Sequence, residues 1–144
     1  MYNQPTRPAT YMVRLPHNGE AYKTPFDADN SLAQLQSAIG GWIEACPIPT
    51  VKCSPDYAVT CFVDEEGLLK RLRLNHRLSE FVGGFIVGDA VFVGTDNMGV
   101  SVGLSEEDAD ALVSRLNALK PHTADLTEAQ ERIVIREFLG GGHM

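Results

Sequence analysis

The sequence lacks the residue patterns that mark most metal centres. It has three cysteines, an odd number, and the spacings of seven and eight residues between Cys46, Cys53 and Cys61 match no zinc-binding pattern. The four histidines are scattered along the chain. We therefore expect no metal site and no cofactor, and we interpret the three cysteines as small packing residues of the core.

Catalytic motifs are also missing from the chain. It contains no glycine-rich phosphate loop, no Gly-x-Ser-x-Gly elbow and no His-Glu-x-x-His sequence. Asp64, Glu65 and Glu66 form an acidic run, but three adjacent carboxylates in a solvated turn are poorly suited to acid–base catalysis. The sequence therefore predicts a protein that is not an enzyme.

No apolar run approaches the roughly 20 residues that a membrane-spanning helix needs. The first eight residues, Met-Tyr-Asn-Gln-Pro-Thr-Arg-Pro, lack the apolar segment of a secretory signal. The hydrophobic share of 44% and the charged share of 22% are typical of a globular protein. We expect a cytoplasmic protein that does not contact membranes.

The segment that follows Asp29 has the clearest local pattern. Asn30 or Ser31 can cap a helix, Ser31 and Gln34 match a capping box, and the apolar residues Leu32, Leu35 and Ile39 fall on one helical face. Two glycines, residues 40 and 41, then end the helix. The bulk and alternation of residues 42–46 predict a half-buried strand.

Two hairpins are predicted from alternating segments. The first joins residues 11–15 to residues 20–23 through Asn18-Gly19, the dipeptide most typical of a two-residue turn. The second joins residues 57–63 to residues 68–74 through the acidic turn. Further patterns predict a short helix or turn at 75–81, strands at 90–93 and 100–102, a long helix capped by Ser105, and a last helix capped by Thr127 and Gln130.

Together these elements predict an α+β fold. We expect a mostly antiparallel sheet of about five strands built from hairpins, with helices packed mainly on one face and a C-terminal helical appendage. The predicted divisions are a flexible N-terminal segment (1–10), a single α+β domain (11–120), and a C-terminal helix with a mobile tail (121–144). The last helix is apolar enough to pack on the domain or on a second copy, which would make a homodimer.

The second hairpin provides the candidate binding site. If Val63 pairs with Leu68, one sheet face opposite the core carries Thr60, Phe62, Arg71, Arg73 and Asn75. Guanidinium groups bind oxyanions, an asparagine side chain can read a base edge, and a phenylalanine ring can stack. In a chain of net charge −7, this cluster predicts a site for an anionic, nucleotide-like ligand. The alternative is a solvated face whose arginines pair with carboxylates.

Several short motifs resemble a known family. They are Gly-Gly-Trp-Ile-Glu at 40–44, Asp-Glu-Glu-Gly at 64–67, Leu74-Asn75, Val-Gly-Asp-Ala-Val at 87–91 and Gly-Leu-Ser-Glu-Glu at 103–107. In this order they resemble a domain-of-unknown-function family of small proteins from bacteriophages, plasmids and bacteria. The resemblance covers about residues 12–119, and it implies genomic context but no reaction, cofactor or catalytic residue.

Two functional hypotheses follow. The first is a non-catalytic phage or plasmid accessory protein that sequesters an anionic, nucleotide-like ligand in counter-defence, that is, by removing a nucleotide messenger of host defence. The second is an acidic protein-interaction inhibitor or DNA mimic acting on a host protein, since 19 acidic residues outnumber 12 basic ones. The acidic cluster at 106–110 has a second explanation, because carboxylates in the first turn of a helix interact favourably with the helix dipole. Direct nucleic-acid binding is disfavoured by a sequence pI near 5.0.

Overall fold

The structure is a computed structural model that describes residues 9–140. Most of the predicted N-terminal segment and residues 141–144 of the predicted tail lie outside the described residues. The elements are β1 (Tyr11–Leu15), β2 (Tyr22–Pro25), a 3-10 turn (Ala28–Asn30), α1 (Ser31–Ile39), β3 (Ile43–Cys46), β4 (Ala58–Asp64), α2 (His76–Val82), β5 (Ala90–Thr95), β6 (Ser101–Val102), α3 (Glu106–Asn117) and α4 (Glu128–Gly140).

Within residues 9–140, six strands form one antiparallel sheet in the order β2-β1-β5-β4-β3, and β6 pairs with β5. Strand β5 is the centre of this sheet, because it pairs with β1 and β6 on one side and with β4 on the other. Its residues Ala90–Val93 are buried on both faces. The predicted α+β fold with a mostly antiparallel sheet is confirmed.

Alternation along the strands divides the core into two layers. On one face, Leu15, Cys61 and Phe92 pack with residues of α2 and α3, including Leu78 and Leu112. On the other face, the buried residues Met12, Val91 and Val93 pack with Leu35 and Ile39 of α1. Helices α2 and α3 thus cover one side of the sheet, and α1 covers the other.

The predicted caps of α3 and α4 are present. Ser105 Oγ accepts a hydrogen bond from the Asp108 amide at 3.1 Å, as expected of a residue that precedes a helix. At α4, the Thr127 amide donates to Gln130 Oε1 and the Gln130 amide donates to Thr127 Oγ1, at 2.9 and 3.2 Å. This is the reciprocal pair of a capping box.

Helix α1 has the predicted bounds but a different cap. The Gln34 side chain donates to the carbonyl oxygens of Asp27 and Asn30, so it holds the preceding 3-10 turn and does not pair with Ser31. Leu32 is 57% exposed and does not join the buried face. Gly40 ends the helix with a φ of 85°, a conformation that a side chain disfavours.

The second predicted hairpin is wrong. Strand β4 pairs with β3 on one edge and with β5 on the other, which leaves no edge for residues 68–74. Residues 65–71 instead form successive turns. The buried Asp64 carboxylate holds these turns, since it accepts from the Glu66 amide and from Lys70 Nζ, both at 2.8 Å.

The first hairpin forms, but not with a two-residue turn. Arg14 and Tyr22 are the last paired residues, so the connection is longer than Asn18-Gly19 alone. Neither Asn18 nor Gly19 has the positive φ that the favoured two-residue turn requires.

Gly41 links two of the family-like motifs. A Cβ atom at this position would lie 2.5 Å from Lys70 Nζ and 3.0 Å from Asp64 Oδ2. The neighbouring Trp42 carbonyl accepts a hydrogen bond from the Glu65 amide at 2.9 Å. The Gly-Gly-Trp and Asp-Glu-Glu-Gly motifs therefore build one junction, in which a side chain at position 41 would displace the exposed Lys70 ammonium group from the buried Asp64 carboxylate.

Candidate functional site

The five predicted site residues do not share a face. Phe62 packs against the layer that contains α1, and Thr60 Oγ1 lies 2.8 Å from Thr95 Oγ1. Arg71, Arg73 and Asn75 belong to the segment after β4, which is not a strand of the sheet. The predicted arrangement required residues 68–74 to pair with β4, and that pairing is absent.

Asn75 is a structural residue in this fold. It is fully buried, and its Oδ1 accepts from the Leu78 amide at the start of α2, at 3.0 Å. Its Nδ2 donates to the carbonyl oxygens of Leu15 and Gly88, at 3.1 and 2.9 Å. Because both ends of the amide are occupied, Asn75 is not available to a ligand.

Arg73 is bound by a carboxylate of α4. Its Nε and one terminal nitrogen donate to the two oxygens of Glu131, at 3.0 and 2.9 Å. The Leu74 amide donates to the same carboxylate at 2.9 Å. His76 Nε2 lies 3.7 Å from Glu131 Oε2. We call these four residues, Arg73, Leu74, His76 and Glu131, the Glu131 latch.

The latch shifts the protonation equilibria of its members. Burial raises the pKa of Glu131, but the hydrogen bonds from Arg73 and the Leu74 amide outweigh it and hold this pKa below the usual value of 4.5. The hydrogen bond to Glu131 raises the pKa of Arg73. Burial lowers the pKa of His76 below 6.5, and its Nδ1 lies 2.8 Å from Thr123 Oγ1. The latch is therefore a charged pair beside a histidine whose neutral form is favoured.

The latch is the main buried attachment of α4. Among residues 128–139, whose burial the structure describes, only Glu131 is buried. Phe138 also contacts Phe85 edge to face, with ring centroids 5.2 Å apart, yet Phe138 stays 53% exposed. A helix held in this way leaves part of its apolar surface open.

The open surface lines a groove between α4 and residues 65–72. We call it the α4 groove. It has two adjoining hollows that share Leu68, Val87, Ile135 and Leu139. The apolar hollow, of about 190 Å³, also includes Phe85 and Phe138. The arginine hollow, of about 290 Å³, also includes Leu72, Arg71, Arg132 and Arg136.

The arginine hollow has an unusual backbone position at its rim. Arg71 has a φ of 56°, the one positive φ among the described residues other than glycine. Such a conformation costs about 1–3 kcal/mol and persists where the surroundings enforce it. Arg132 donates to the Arg71 carbonyl at 3.0 Å and to Glu128 at 2.8 Å. Helix α4 thus helps to hold Arg71 in place.

The apolar hollow has an acidic rim and exposed apolar side chains. Glu44, Glu65 and Glu66 line one side of it. Leu68 and Leu69 are 54% and 82% exposed. Exposed apolar groups concentrated beside a depression are typical of a docking surface.

Sequence reasoning found Arg71 but missed Arg132 and Arg136. Both lie on α4, which we interpreted only as a packing or dimer helix. Their spacing of four residues places them on the same helical face, a signal that the sequence does contain. What the sequence did not show is that this face lies beside Arg71.

The groove presents groups that are suited to binding a ligand. It offers guanidinium donors, carboxylates and apolar surface. In residues 9–140 no three His, Cys, Asp or Glu side chains are grouped as a metal ion would require. None of the helices in that range is long and apolar enough to cross a bilayer.

Comparisons with known proteins give one match. A family model described as a domain of unknown function, DUF3846, matches residues 11–117. The matched range includes the sheet and helices α1 to α3, and it ends before α4. Comparison with curated proteins and with solved structures gave no match.

Replacing Glu131 with Gln tests the latch. Glutamine keeps the shape and an acceptor for the Leu74 amide but removes the charge that binds Arg73. We expect the free energy of unfolding to fall by about 1–3 kcal/mol, the contribution of a hydrogen bond to a charged group. The matched control is Glu128→Gln, which removes an exposed carboxylate one turn earlier and should change stability by about 0.5 kcal/mol or less. Urea unfolding followed by circular dichroism measures both, and equal effects would contradict the latch.

Proposed function

The protein belongs to the DUF3846 family of unknown function, and we propose that it is a non-catalytic accessory protein that binds an anionic, nucleotide-like ligand in the arginine hollow. The observation that carries this proposal is the meeting of Arg71 with Arg132 and Arg136 in one hollow. These residues come from two segments about 60 positions apart. The proposed ligand class is the one expected from the sequence, but the site is different. Of the five residues predicted from the sequence, Arg71 lines the hollow, whereas Arg73, Asn75, Thr60 and Phe62 do not.

The charge of the hollow supports an anionic ligand. The whole chain carries a net charge of −7, so a cluster of guanidinium groups is a local positive region on an otherwise acidic protein. Arg71 and Arg136 are exposed, and neither forms an ion pair with another described residue. Guanidinium groups bind phosphate oxygens through paired N–H donors.

The floor and size of the hollow support a ligand with a compact apolar part. Leu72, Val87 and Ile135 provide apolar surface next to the arginines. The volume of about 290 Å³ lies just below the range of about 300–1,000 Å³ that is usual for small-molecule sites. A phosphate at the arginines with a base or sugar over the floor satisfies both features.

The family resemblance suggests a biological setting. Small accessory proteins of phages and plasmids benefit from removing a nucleotide messenger of host defence. Sequestration of this kind requires binding and no catalysis, which suits a groove of guanidinium and apolar groups. The setting rests on the resemblance, whereas the ligand class rests on the hollow.

Calorimetric titration of nucleotides tests the ligand proposal. A panel of mononucleotides and of linear and cyclic dinucleotides should contain at least one ligand. Arg71→Asn and Arg136→Gln should each weaken its binding by roughly 10- to 100-fold, which corresponds to the loss of a charged hydrogen bond. Asparagine is chosen at position 71 because it tolerates a positive φ.

Lys52→Gln is the matched control. It removes one positive charge from an exposed position in the loop between β3 and β4, so it should leave the affinity unchanged. A panel without any binding, or equal weakening by Lys52→Gln and Arg136→Gln, would overturn the proposal.

A second candidate function is docking of a protein partner in the apolar hollow. It is favoured by the exposure of Leu69 and Phe138 beside the hollow. This candidate corresponds to the protein-interaction inhibitor that was the second hypothesis from the sequence. The acidic cluster at 106–110 gives less support to DNA mimicry, because Lys23 binds Glu106 and Asp110 at 2.8 and 2.7 Å.

Leu69→Asp separates the two candidates. It places a charge beside the apolar hollow, so it should abolish capture of a host-lysate protein while nucleotide binding persists. Met98→Asp is the control, since Met98 is 85% exposed and lies in the turn between β5 and β6, outside the groove. Light scattering of the same variants shows whether the partner is a second copy. Equal capture by both variants would contradict docking at this hollow.

A further inference from the structure

Two of the three cysteines face each other across neighbouring strands. Cys46 of β3 and Cys61 of β4 are directly opposed in the antiparallel ladder. Opposed residues in such a ladder have Cα atoms about 4.5–5.5 Å apart, and disulfides join Cα atoms about 4.4–6.8 Å apart. Both thiols are free in this structure. The backbone therefore holds the pair at a separation that a disulfide can bridge.

The two thiols are both buried but differ in their place in the sheet and in the direction of their pKa shifts. Cys46 lies on the edge strand β3 and is 7% exposed, whereas Cys61 is fully buried. The interaction with the Cys61 side chain lowers the pKa of Cys46, whose Sγ donates to the Pro47 carbonyl oxygen at 3.7 Å. Burial, followed by the contact with Cys46, raises the pKa of Cys61. Because the thiolate is the nucleophile and Cys46 lies on the edge strand, we expect Cys46 to attack an oxidant before Cys61 does.

The third cysteine is placed differently. Cys53 lies in the loop between β3 and β4, and its Sγ donates to the Tyr57 carbonyl at 3.2 Å. Burial raises the pKa of its thiol. It has no cysteine opposite it in a strand, so it serves as an internal control for the reactivity of the other two.

We propose that Cys46 and Cys61 are a modification site, at which a peroxide forms a reversible disulfide between β3 and β4. The Cys46 thiolate attacks one peroxide oxygen and gives a sulfenic acid, while the second oxygen leaves as hydroxide or alkoxide. The Cys61 sulfur then attacks the Cys46 sulfur, and the sulfenic hydroxyl leaves as water with the Cys61 proton. Two thiols are oxidised and one peroxide is reduced.

The disulfide would link the edge strand β3 covalently to β4. It closes the chain between residues 46 and 61, which includes the proline-containing loop, and it restricts the unfolded chain. Strand β3 also carries Glu44, which lines the apolar hollow. This inference is independent of the proposed ligand, because the cysteines lie outside the arginine hollow.

Peroxide treatment of the reduced, full-length protein tests the site. Hydrogen peroxide should lower the intact mass by two hydrogen atoms and reduce the free thiols from three to one. Digestion without reduction should give a peptide pair joined through Cys46 and Cys61, and dithiothreitol should release it. The oxidised protein should also melt at a higher temperature than the reduced protein.

Variants assign the reacting residues. Cys53→Ser should form the disulfide as the wild-type protein does, whereas Cys46→Ser should not lose hydrogen. The peptide map of the unmodified sequence decides the question even if a cysteine variant folds poorly. Oxygen addition without a disulfide, or a disulfide that includes Cys53 or a second chain, would overturn the proposal.

Discussion

The binding of Arg73 to the buried Glu131 carboxylate is the interaction on which the α4 groove depends. A buried carboxylate is stable only when donors replace the water it has lost, and Glu131 receives them from Arg73 and the Leu74 amide. This fixes one turn of α4 against the segment after β4. Removing one partner would leave the other charge without compensation, which is why such a pair is sensitive to substitution.

The same interaction explains why the groove is open. Helix α4 is attached through a charged residue, so several of its apolar side chains are not buried against the domain. Phe138 and Leu139 remain half exposed. Arg132, one residue after the latch, reaches the Arg71 carbonyl, and Arg136 follows one turn later. A single docked turn of helix therefore brings guanidinium groups from both sides of the groove together.

Local signals in the sequence predicted most elements. The caps of α3 and α4 and the glycine end of α1 depend on residues within a few positions of each other. Strand pairing across the sheet depends instead on residues far apart in the sequence. Apolar and polar residues alternate along residues 68–74 as clearly as along residues 43–46. Only the competition of β3 and β5 for the two edges of β4 excludes residues 68–74 from the sheet. The same long-range choice moves Arg71 away from Thr60 and Phe62.

The most direct test of this account is the titration of the Glu131 side-chain carboxyl carbon by NMR in the folded, full-length protein. The hydrogen bonds from Arg73 and the Leu74 amide stabilise the carboxylate form, so the account predicts a pKa below the ordinary value of 4.5. A pKa at or above 4.5 would show that burial dominates and that the carboxylate does not hold α4 through Arg73.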